Sequence, residues 1–135
     1  MYRATYLSLA CLLVIGNAFA ATPSPVASLL AEYQGEAGGQ FSAAAGKQLW
    51  NQNFKADQAP IERSCASCHT ADPSGTGKHV KTGKPIAPLA PSVNNKRLSD
   101  IGEIRKWLRR NCNWTLGREC SAQEKGDLLS YLNTL

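Results

Sequence analysis

Apolar residues recur at helical spacing in four segments of this chain, and polar sequence rich in glycine and proline separates them. The first predicted helix lies within the segment Thr22–Glu36, and the second runs from about Ser42 to Asn53. The third begins near Asp100 and the fourth at Ser121, because a glutamate follows each of these residues at capping-box spacing. The pattern predicts an all-α domain of helices joined by loops.

Each predicted helix has one apolar face. Ser24 is the predicted N-cap of the first helix, Pro25 its first residue, and a glycine-rich stretch after it ends the helix. Gly46 costs the second helix about 1 kcal/mol in propensity, so we expect another helix to approach closely there. The apolar positions, helix by helix, are Val26, Leu29, Leu30 and Tyr33; Leu49, Trp50 and Phe54; Ile101, Ile104, Trp107 and Leu108; and Leu128, Leu129, Tyr131, Leu132 and Leu135.

Two segments are predicted to be loops. Residues 72–95 are rich in glycine, proline and lysine, and their prolines exclude a helix. A loop of this length usually has a function or wraps around something. Residues 110–120, RNCNWTLGREC, are too short and too mixed in character for a helix with a clear apolar face, so we expect them to connect the third and fourth helices.

Residues 1–20 form a predicted signal peptide. Arg3 supplies positive charge, residues 7–15 are apolar, and small residues precede a cleavage site after Ala20. The apolar run is shorter than the roughly 20 residues of a membrane helix. We therefore expect an exported, soluble periplasmic protein with one domain, residues 21–135, in an oxidising compartment.

Cleavage changes the supply of cysteine and methionine. Cys11 would leave with the signal peptide, and Cys65, Cys68, Cys112 and Cys120 would remain. In an oxidising compartment a spare pair of cysteines normally forms a disulfide. The one methionine of the sequence is at its first position, so residues 21–135 contain none.

The segment SCASCHT, residues 64–70, contains the motif C-x-x-C-H as Cys65, Cys68 and His69. In an exported chain this motif attaches c-type haem. Two thiols at this spacing reach the two vinyl groups of one porphyrin edge, and the histidine is then held beneath the iron as the proximal ligand. A zinc site would need four ligands, and a thioredoxin-like pair would need a βαβ context, so the motif favours haem.

A helix with a glycine and an aromatic residue before this motif, and an aromatic residue near the end of the last helix, resembles the class I cytochromes c. The resemblance implies a helical fold around one covalently bound haem c, with an extra N-terminal helix and a contact between Gly46 and Tyr131. It also implies that the carbonyl of Pro88 accepts the Nδ1 proton of His69 and fixes its tautomer. The haem would supply most of the interior, so we expect the apoprotein to be poorly folded.

The sixth iron ligand is not determined by these patterns. Most class I cytochromes c use a methionine, which residues 21–135 lack. His79, an amide or amine side chain, or an open position are the alternatives. Asn111 and Asn113 flank Cys112, and an amide oxygen is a weak, hard ligand that favours ferric over ferrous iron. Asparagines beside a disulfide are also common turn residues, so the residues alone leave the alternatives open.

Four segments, GKPIAPLAPS, KWLRRNCN, GREC and EKGDLLSYL, resemble the sphaeroides haem protein family of high-spin cytochromes c. The resemblance implies that Asn111 ligates ferric haem and leaves on reduction, so that ferrous iron binds oxygen or nitric oxide. It implies a disulfide between Cys112 and Cys120, which would tether Asn111. A dihaem cytochrome c and a membrane cytochrome b are the implied electron donors. His79 departs from this family's pattern, and Trp114 would add bulk above the distal pocket.

Positive charge is concentrated in the middle of the chain. Residues 63–110 contain ten basic and three acidic residues, a net +7, whereas the whole chain carries +5. This excess is expected to offset two haem propionates and to steer an acidic redox partner, although a solvated basic face fits equally; nucleic acid is not expected as a partner. The sequence predicts a gas-binding electron-transfer protein, acting as a small terminal reductase or a carrier. A simple six-coordinate electron-transfer cytochrome is the alternative, and peroxidase chemistry lacks a distal acid–base pair.

Overall fold

The computed structural model describes residues 22–55 and 61–135, and the predicted signal peptide, residues 1–20, lies outside them. Helices α1 (Pro25–Ala37), α2 (Ala43–Asn51), α3 (Ala66–His69), α4 (Ile101–Leu116) and α5 (Ala122–Leu132) form the described part of the chain. Strands β1 (Gly77–Lys78) and β2 (Pro85–Ile86) pair as an antiparallel hairpin within the long loop. The predicted all-α fold is confirmed, with this hairpin as a small addition.

The helix starts predicted from the sequence are confirmed by their N-caps. The side chains of Ser24 and Asp100 each accept a hydrogen bond from the backbone N–H three residues later. Ser121 and Glu124 form a complete capping box at the start of α5. Gly38 ends α1 in the left-handed conformation, with φ of 69°. Local side-chain chemistry therefore sets most of the helix boundaries.

Two helix ends differ from the prediction. Helix α2 ends at Asn51, two residues early, because Gln52 is extended with ψ of 132°. Helix α4 continues to Leu116, so the predicted loop over residues 110–120 is wrong for most of its length. Gly117, with φ of 76°, then ends α4. The connection to α5 is consequently only a few residues long.

Helix α4 is longer than predicted because its buried face continues. Ile104, Cys112 and Thr115 are buried, and Leu108 packs between them against both clusters of the core. Trp107 was predicted to belong to this face, and that prediction is wrong, because its side chain is 43% exposed. Its indole lies at the edge of the face and donates to the Glu103 carboxylate at 2.9 Å. The true stripe follows the helical repeat of three and four residues.

Helices α2 and α5 cross in close contact at Gly46. A Cβ atom at this position would lie 2.0 Å from the carbonyl oxygen of Asp127 and 2.8 Å from the Cβ of Tyr131. The predicted contact between Gly46 and Tyr131 is therefore confirmed. Around the crossing lies the larger buried cluster, which consists of Trp50, Cys112, Cys120, Leu128, Tyr131 and Leu132.

The larger cluster also positions the haem motif. Cys65 and Ala66 pack against it from one side, and Leu89, Leu98 and Leu108 pack against it from the long loop and α4. A second cluster joins α1 to α4 and α5 through Val26, Leu29, Tyr33, Ile104 and Leu129. Within the two described ranges, no helix is long and apolar enough to cross a bilayer.

Candidate haem site

Helix α3 is a single turn that presents both cysteines of the motif. The backbone N–H groups of Cys68 and His69 donate to the carbonyl of Cys65 at 3.3 and 3.1 Å. Ser64 and Ser67 exchange backbone-to-hydroxyl bonds, which fixes the start of the turn. Both cysteines are half-buried, and neither takes part in the disulfide. The local sequence therefore holds the two sulfur atoms one turn apart, as attachment to haem requires.

Burial sets the protonation of the two main groups of the motif. It raises the pKa of Cys65 to about 11, so this thiol stays protonated at neutral pH. Burial, together with the charge of Arg97, lowers the pKa of His69 to about 4. A neutral imidazole keeps a lone pair for a metal. The thiols and the imidazole, set against an apolar cluster, form a donor set that fits a covalently bound haem.

Trp50 supports the motif from α2. Its ring centroid lies 5.7 Å from that of His69, and its Nε1 donates to the carbonyl of Thr70 at 2.9 Å. Thr70 has φ of 66°, a positive value that threonine rarely adopts. The hairpin packs on the other side, where a Cβ at Gly77 would lie 2.1 Å from the carbonyl oxygen of Cys68. The motif is thus enclosed by α2 and by the long loop.

Arg97 organises the loop that follows the motif. Its Nε donates to the carbonyl of Pro88 and its Nη2 to the carbonyl of Ala87, both at 3.0 Å. The Nδ2 of Asn94 also donates to Pro88, at 3.2 Å. The bond between Pro88 and His69 stays a prediction. Arg97 itself was missed in the sequence, where it is one cation among ten in a charged region.

The two candidate asparagines face different directions on α4. Asn113 is exposed, and its Nδ2 donates to the carbonyl of Arg109 at 2.8 Å. Asn111 is half-buried and lies one turn from Leu108 and from Thr115, on the inward side of the helix. Its amide takes no part in the side-chain hydrogen bonds of the described residues. Of the two, Asn111 therefore has the side chain available for a ligand role.

The predicted disulfide is confirmed. Cys112 and Cys120 are bonded with an S–S distance of 1.99 Å and a Cα–Cα distance of 5.5 Å, and both are buried. The bond joins the end of α4 to the residue before the Ser121 N-cap of α5. Asn111 is consequently adjacent to a covalently fixed point of the backbone.

Arg63 connects the segment before the motif to α4. Its guanidinium Cζ lies 4.1 Å from the ring centroid of Trp114, and its Nη1 donates to the carbonyl of Trp114 at 3.3 Å. Sequence patterns did not reveal this pair, because the two residues are far apart in the chain. The only indication was that each stands close to a motif residue, Cys65 or Asn111.

His79 lies at the end of the β1–β2 hairpin. Its Nδ1 accepts hydrogen bonds from the backbone N–H groups of Lys81 and Thr82, at 3.3 Å each. Its backbone N–H donates to the carbonyl of Lys84 at 2.9 Å. These bonds give His79 a role in the turn, and its ligation of iron stays a prediction.

Comparison with known proteins supports the same chemistry. The family model described as "Domain of unknown function (DUF1924)" matches residues 36–132. The chain is 43% identical over 117 residues to "Cytochrome c-type protein SHP" of Cereibacter sphaeroides, which covers 87% of this chain and 88% of that protein.

Solved structures agree with this similarity. "Structure of oxidized SHP, an oxygen binding cytochrome c" superposes with a TM-score of 0.75 at 39% identity, covering 84% of this chain and all of that one. The solution structure of Methylophilus methylotrophus cytochrome c'', which addresses "the structural basis of haem-ligand detachment", has a TM-score of 0.73 at 38% identity. It covers 82% of this chain and 93% of that one.

The helical fold, the enclosed C-x-x-C-H turn and the disulfide define a c-type cytochrome of the class I kind. Covalently bound haem c is the cofactor of this class, and electron transport is its general activity. The chain belongs to the sphaeroides haem protein, or SHP, family of cytochromes c.

Proposed function

We propose that this chain is a periplasmic monohaem cytochrome c in which Asn111 is a displaceable ligand of ferric iron. Cys65 and Cys68 would hold the haem through thioethers, and His69 would be the proximal ligand. When bound, the haem would supply a redox-active iron at which a ligand can be exchanged. The proposal depends on the half-buried amide of Asn111, which lies on the inward face of α4 beside the disulfide.

His69 supports the proximal role through its environment. Because burial lowers its pKa to about 4, the ring is neutral across the physiological range and does not compete with metal by binding a proton. Trp50 packs beside the ring at 5.7 Å between centroids. The ring is therefore oriented before it meets a metal, which limits the entropy lost on binding.

Asn111 supports a reversible distal role through the chemistry of its amide. An amide oxygen is a hard donor, and it binds ferric iron better than ferrous iron. Reduction of the iron would therefore weaken its bond to Asn111, and a diatomic ligand, oxygen or nitric oxide, could take the place of the amide. The related SHP is described as oxygen-binding, and the work on the related cytochrome c'' concerns detachment of a haem ligand.

The disulfide supports the same role by limiting the movement of Asn111. The backbone one residue later is fixed to the start of α5. A weak ligand held near its binding position has a high effective concentration. Asn111 can then leave by a change of side-chain rotamer and return without unfolding of α4.

Electron donors of this chain would be acidic proteins of the same compartment. The family resemblance suggests a dihaem cytochrome c and a membrane cytochrome b. The lysines of the hairpin and the cations of α4 are exposed, and their positive charge would attract an acidic surface on the donor.

Optical spectroscopy of Asn111→Val tests the ligand. We expect its ferric spectrum to differ from wild type, while Asn113→Val, the matched control on the exposed side of α4, leaves the spectrum unchanged. A ferric spectrum of Asn111→Val identical to wild type would remove Asn111 from the iron.

Carbon monoxide tests the opening on reduction. The dithionite-reduced wild type should shift its spectrum when carbon monoxide is added. A low-spin ferrous spectrum that ignores carbon monoxide would establish a permanently six-coordinate electron-transfer cytochrome instead.

A further inference from the structure

Arg63 lies two residues before Cys65, the first cysteine of the haem motif. Its backbone forms two hydrogen bonds with Phe54, at 2.8 and 2.9 Å, in an isolated β-bridge. The side chain is half-buried, so its stem and head are confined by surrounding atoms. Arg63 is therefore held rigidly at its base, next to the segment that would attach the haem.

The head of Arg63 makes a two-point contact with a single residue of α4. The guanidinium lies over the Trp114 ring at 4.1 Å from the centroid, and Nη1 donates to the Trp114 carbonyl at 3.3 Å. That carbonyl belongs to the last turn of α4, where carbonyls lack helical partners. A positive charge at a helix C-terminus also interacts favourably with the helix dipole. Three favourable effects thus converge on one pair.

Burial makes this pair stronger than the other cation–π contacts of α4. Lys106 and Arg110 lie over the Trp107 ring at 5.3 and 5.4 Å, where the indole is 43% exposed. A desolvated cation–π contact is stronger than an exposed one. The Nε of Arg63 is fully buried and has no partner among the described residues. With its Nε buried, the half-buried side chain of Arg63 has few alternative positions, which favours one fixed geometry.

We propose that the Arg63–Trp114 pair is a latch that positions Asn111 on the distal side of the haem. Trp114 follows Asn111 by three residues, so the two lie one helical turn apart on α4. The disulfide fixes this turn to α5, and the latch fixes it to the haem-attachment segment. Arg63 is then a positioning residue for the exchange at iron, and this inference rests on the proposed role of Asn111.

Competition with imidazole measures the latch. Ferric protein is titrated with imidazole, which binds iron only where Asn111 has left. Arg63→Met should tighten the apparent imidazole affinity by about 5- to 30-fold, the range between an exposed and a desolvated cation–π contact, since both partners are half-buried. Trp114→Leu should tighten it similarly, and Arg63→Lys should restore part of the wild-type value. Arg110→Met, which removes an exposed cation–π contact beside Asn111, is the matched control and should leave the affinity within about twofold.

The double variant separates the latch from the ligand. Asn111→Val removes the internal competitor and sets the upper limit of imidazole affinity, and adding Arg63→Met to it should change nothing further. If Asn111→Val binds imidazole as wild type does, the ligand assignment fails, and the latch fails with it. If Asn111→Val tightens binding and Arg63→Met does not, the latch alone is wrong.

Hydrogen exchange gives a readout that does not depend on iron. In Arg63→Met, the backbone amides of residues 111–116 should exchange faster than in wild type, while those of α1 should keep their rates. Faster exchange without tighter imidazole binding would show that Arg63 only stabilises the helix end, and the positioning role would be rejected.

Discussion

Gly46 determines how closely the two central helices approach. The space that a side chain would need is already occupied by the backbone of Asp127 and by Tyr131, with the nearest atom 2.0 Å from an ideal Cβ. Glycine costs α2 about 1 kcal/mol in helix propensity. The cost is offset because close approach buries Trp50 and Tyr131, whose rings meet edge to face at 6.2 Å between centroids. The absence of a side chain at Gly46 therefore sets the distance between α2 and α5, which pack beside the haem motif.

Gly46→Ala should destabilise the protein by about 2 kcal/mol or more, because a methyl group must push backbone atoms apart in a packed interface. Urea unfolding of the haem-loaded protein measures the change. Gly35→Ala in α1 is the matched control, since nothing lies within 4 Å of an ideal Cβ at this position, and it should stabilise by up to about 1 kcal/mol. Equal effects of the two substitutions would contradict the close crossing.

At the scale of the element, the start of α5 is the most heavily supported helix end. The Glu124 carboxylate accepts two bonds from the Arg118 guanidinium at 2.7 Å each and one from the Ser121 N–H at 2.8 Å. The hydrogen bonds from Arg118, ahead of those from Ser121, hold the pKa of Glu124 below its usual range. These bonds lie directly after Cys120, so they continue the fixed segment that the disulfide begins.

Glu124→Gln should lower the free energy of unfolding by about 1 kcal/mol at pH 7, through a weakened capping box and the lost ion pair. Because the folded pKa of Glu124 is depressed, its stabilisation is present above the ordinary glutamate pKa and disappears as the pH falls through the folded value. Urea unfolding at pH 7 and in acid should therefore show a difference that vanishes in acid. Glu119→Gln, an exposed neighbour, should have little effect at either pH.

Sequence patterns predicted helix boundaries correctly where these depend on residues close together in the chain. Ser24 with Pro25 and Ser121 with Glu124 marked helix starts correctly, because capping depends on residues three positions apart. The end of α4 was wrong, because asparagine, cysteine and threonine are poor helix formers whose cost was outweighed by burial of Cys112 and Thr115.

The same distinction holds for the site. The haem motif is contiguous and was recognised from its spacing. The disulfide was expected from the oxidising compartment and the number of cysteines, and the resemblance to the family implied its pairing. The contact between Arg63 and Trp114 joins residues 51 positions apart, so no pattern in the chain encodes it. Arg97 was missed for a different reason. Its partners are backbone carbonyls, which carry no signature in the side-chain sequence.

At the scale of the whole molecule, some of the cations form hydrogen bonds or ion pairs within the protein, and others are exposed. Arg63 and Arg97 bind carbonyl groups inside the protein, and Arg105 is paired with Glu32. The hairpin cations Lys78, Lys81 and Lys84 are exposed. Because β1 packs on α3, their charges lie on the side of the molecule that carries the haem motif.

Replacing the three hairpin lysines with glutamine should slow reduction by an anionic donor. With photoreduced flavin mononucleotide at low salt, we expect the second-order rate constant to fall by about two- to tenfold, and the effect to fade as salt is added. Lumiflavin, which lacks the phosphate, should reduce both proteins equally. Lys47→Gln on α2 serves as the charge control. If the triple variant and the wild type were reduced at equal rates by flavin mononucleotide as well as by lumiflavin, the docking surface would lie elsewhere.

The positions of the four cysteines also order the assembly of the protein. Cys112 and Cys120 are eight residues apart, whereas a mispaired ring from Cys68 to Cys112 would contain about 45 residues. The larger ring costs roughly 1.4 kcal/mol more in closure entropy, which makes it about tenfold rarer in an unfolded chain. Oxidation of an unfolded chain therefore favours the 112–120 bond over the cross-linked forms. Cys65 and Cys68 are then left to pair with each other. Reduction of that one short-range disulfide frees both thiols for attachment to haem.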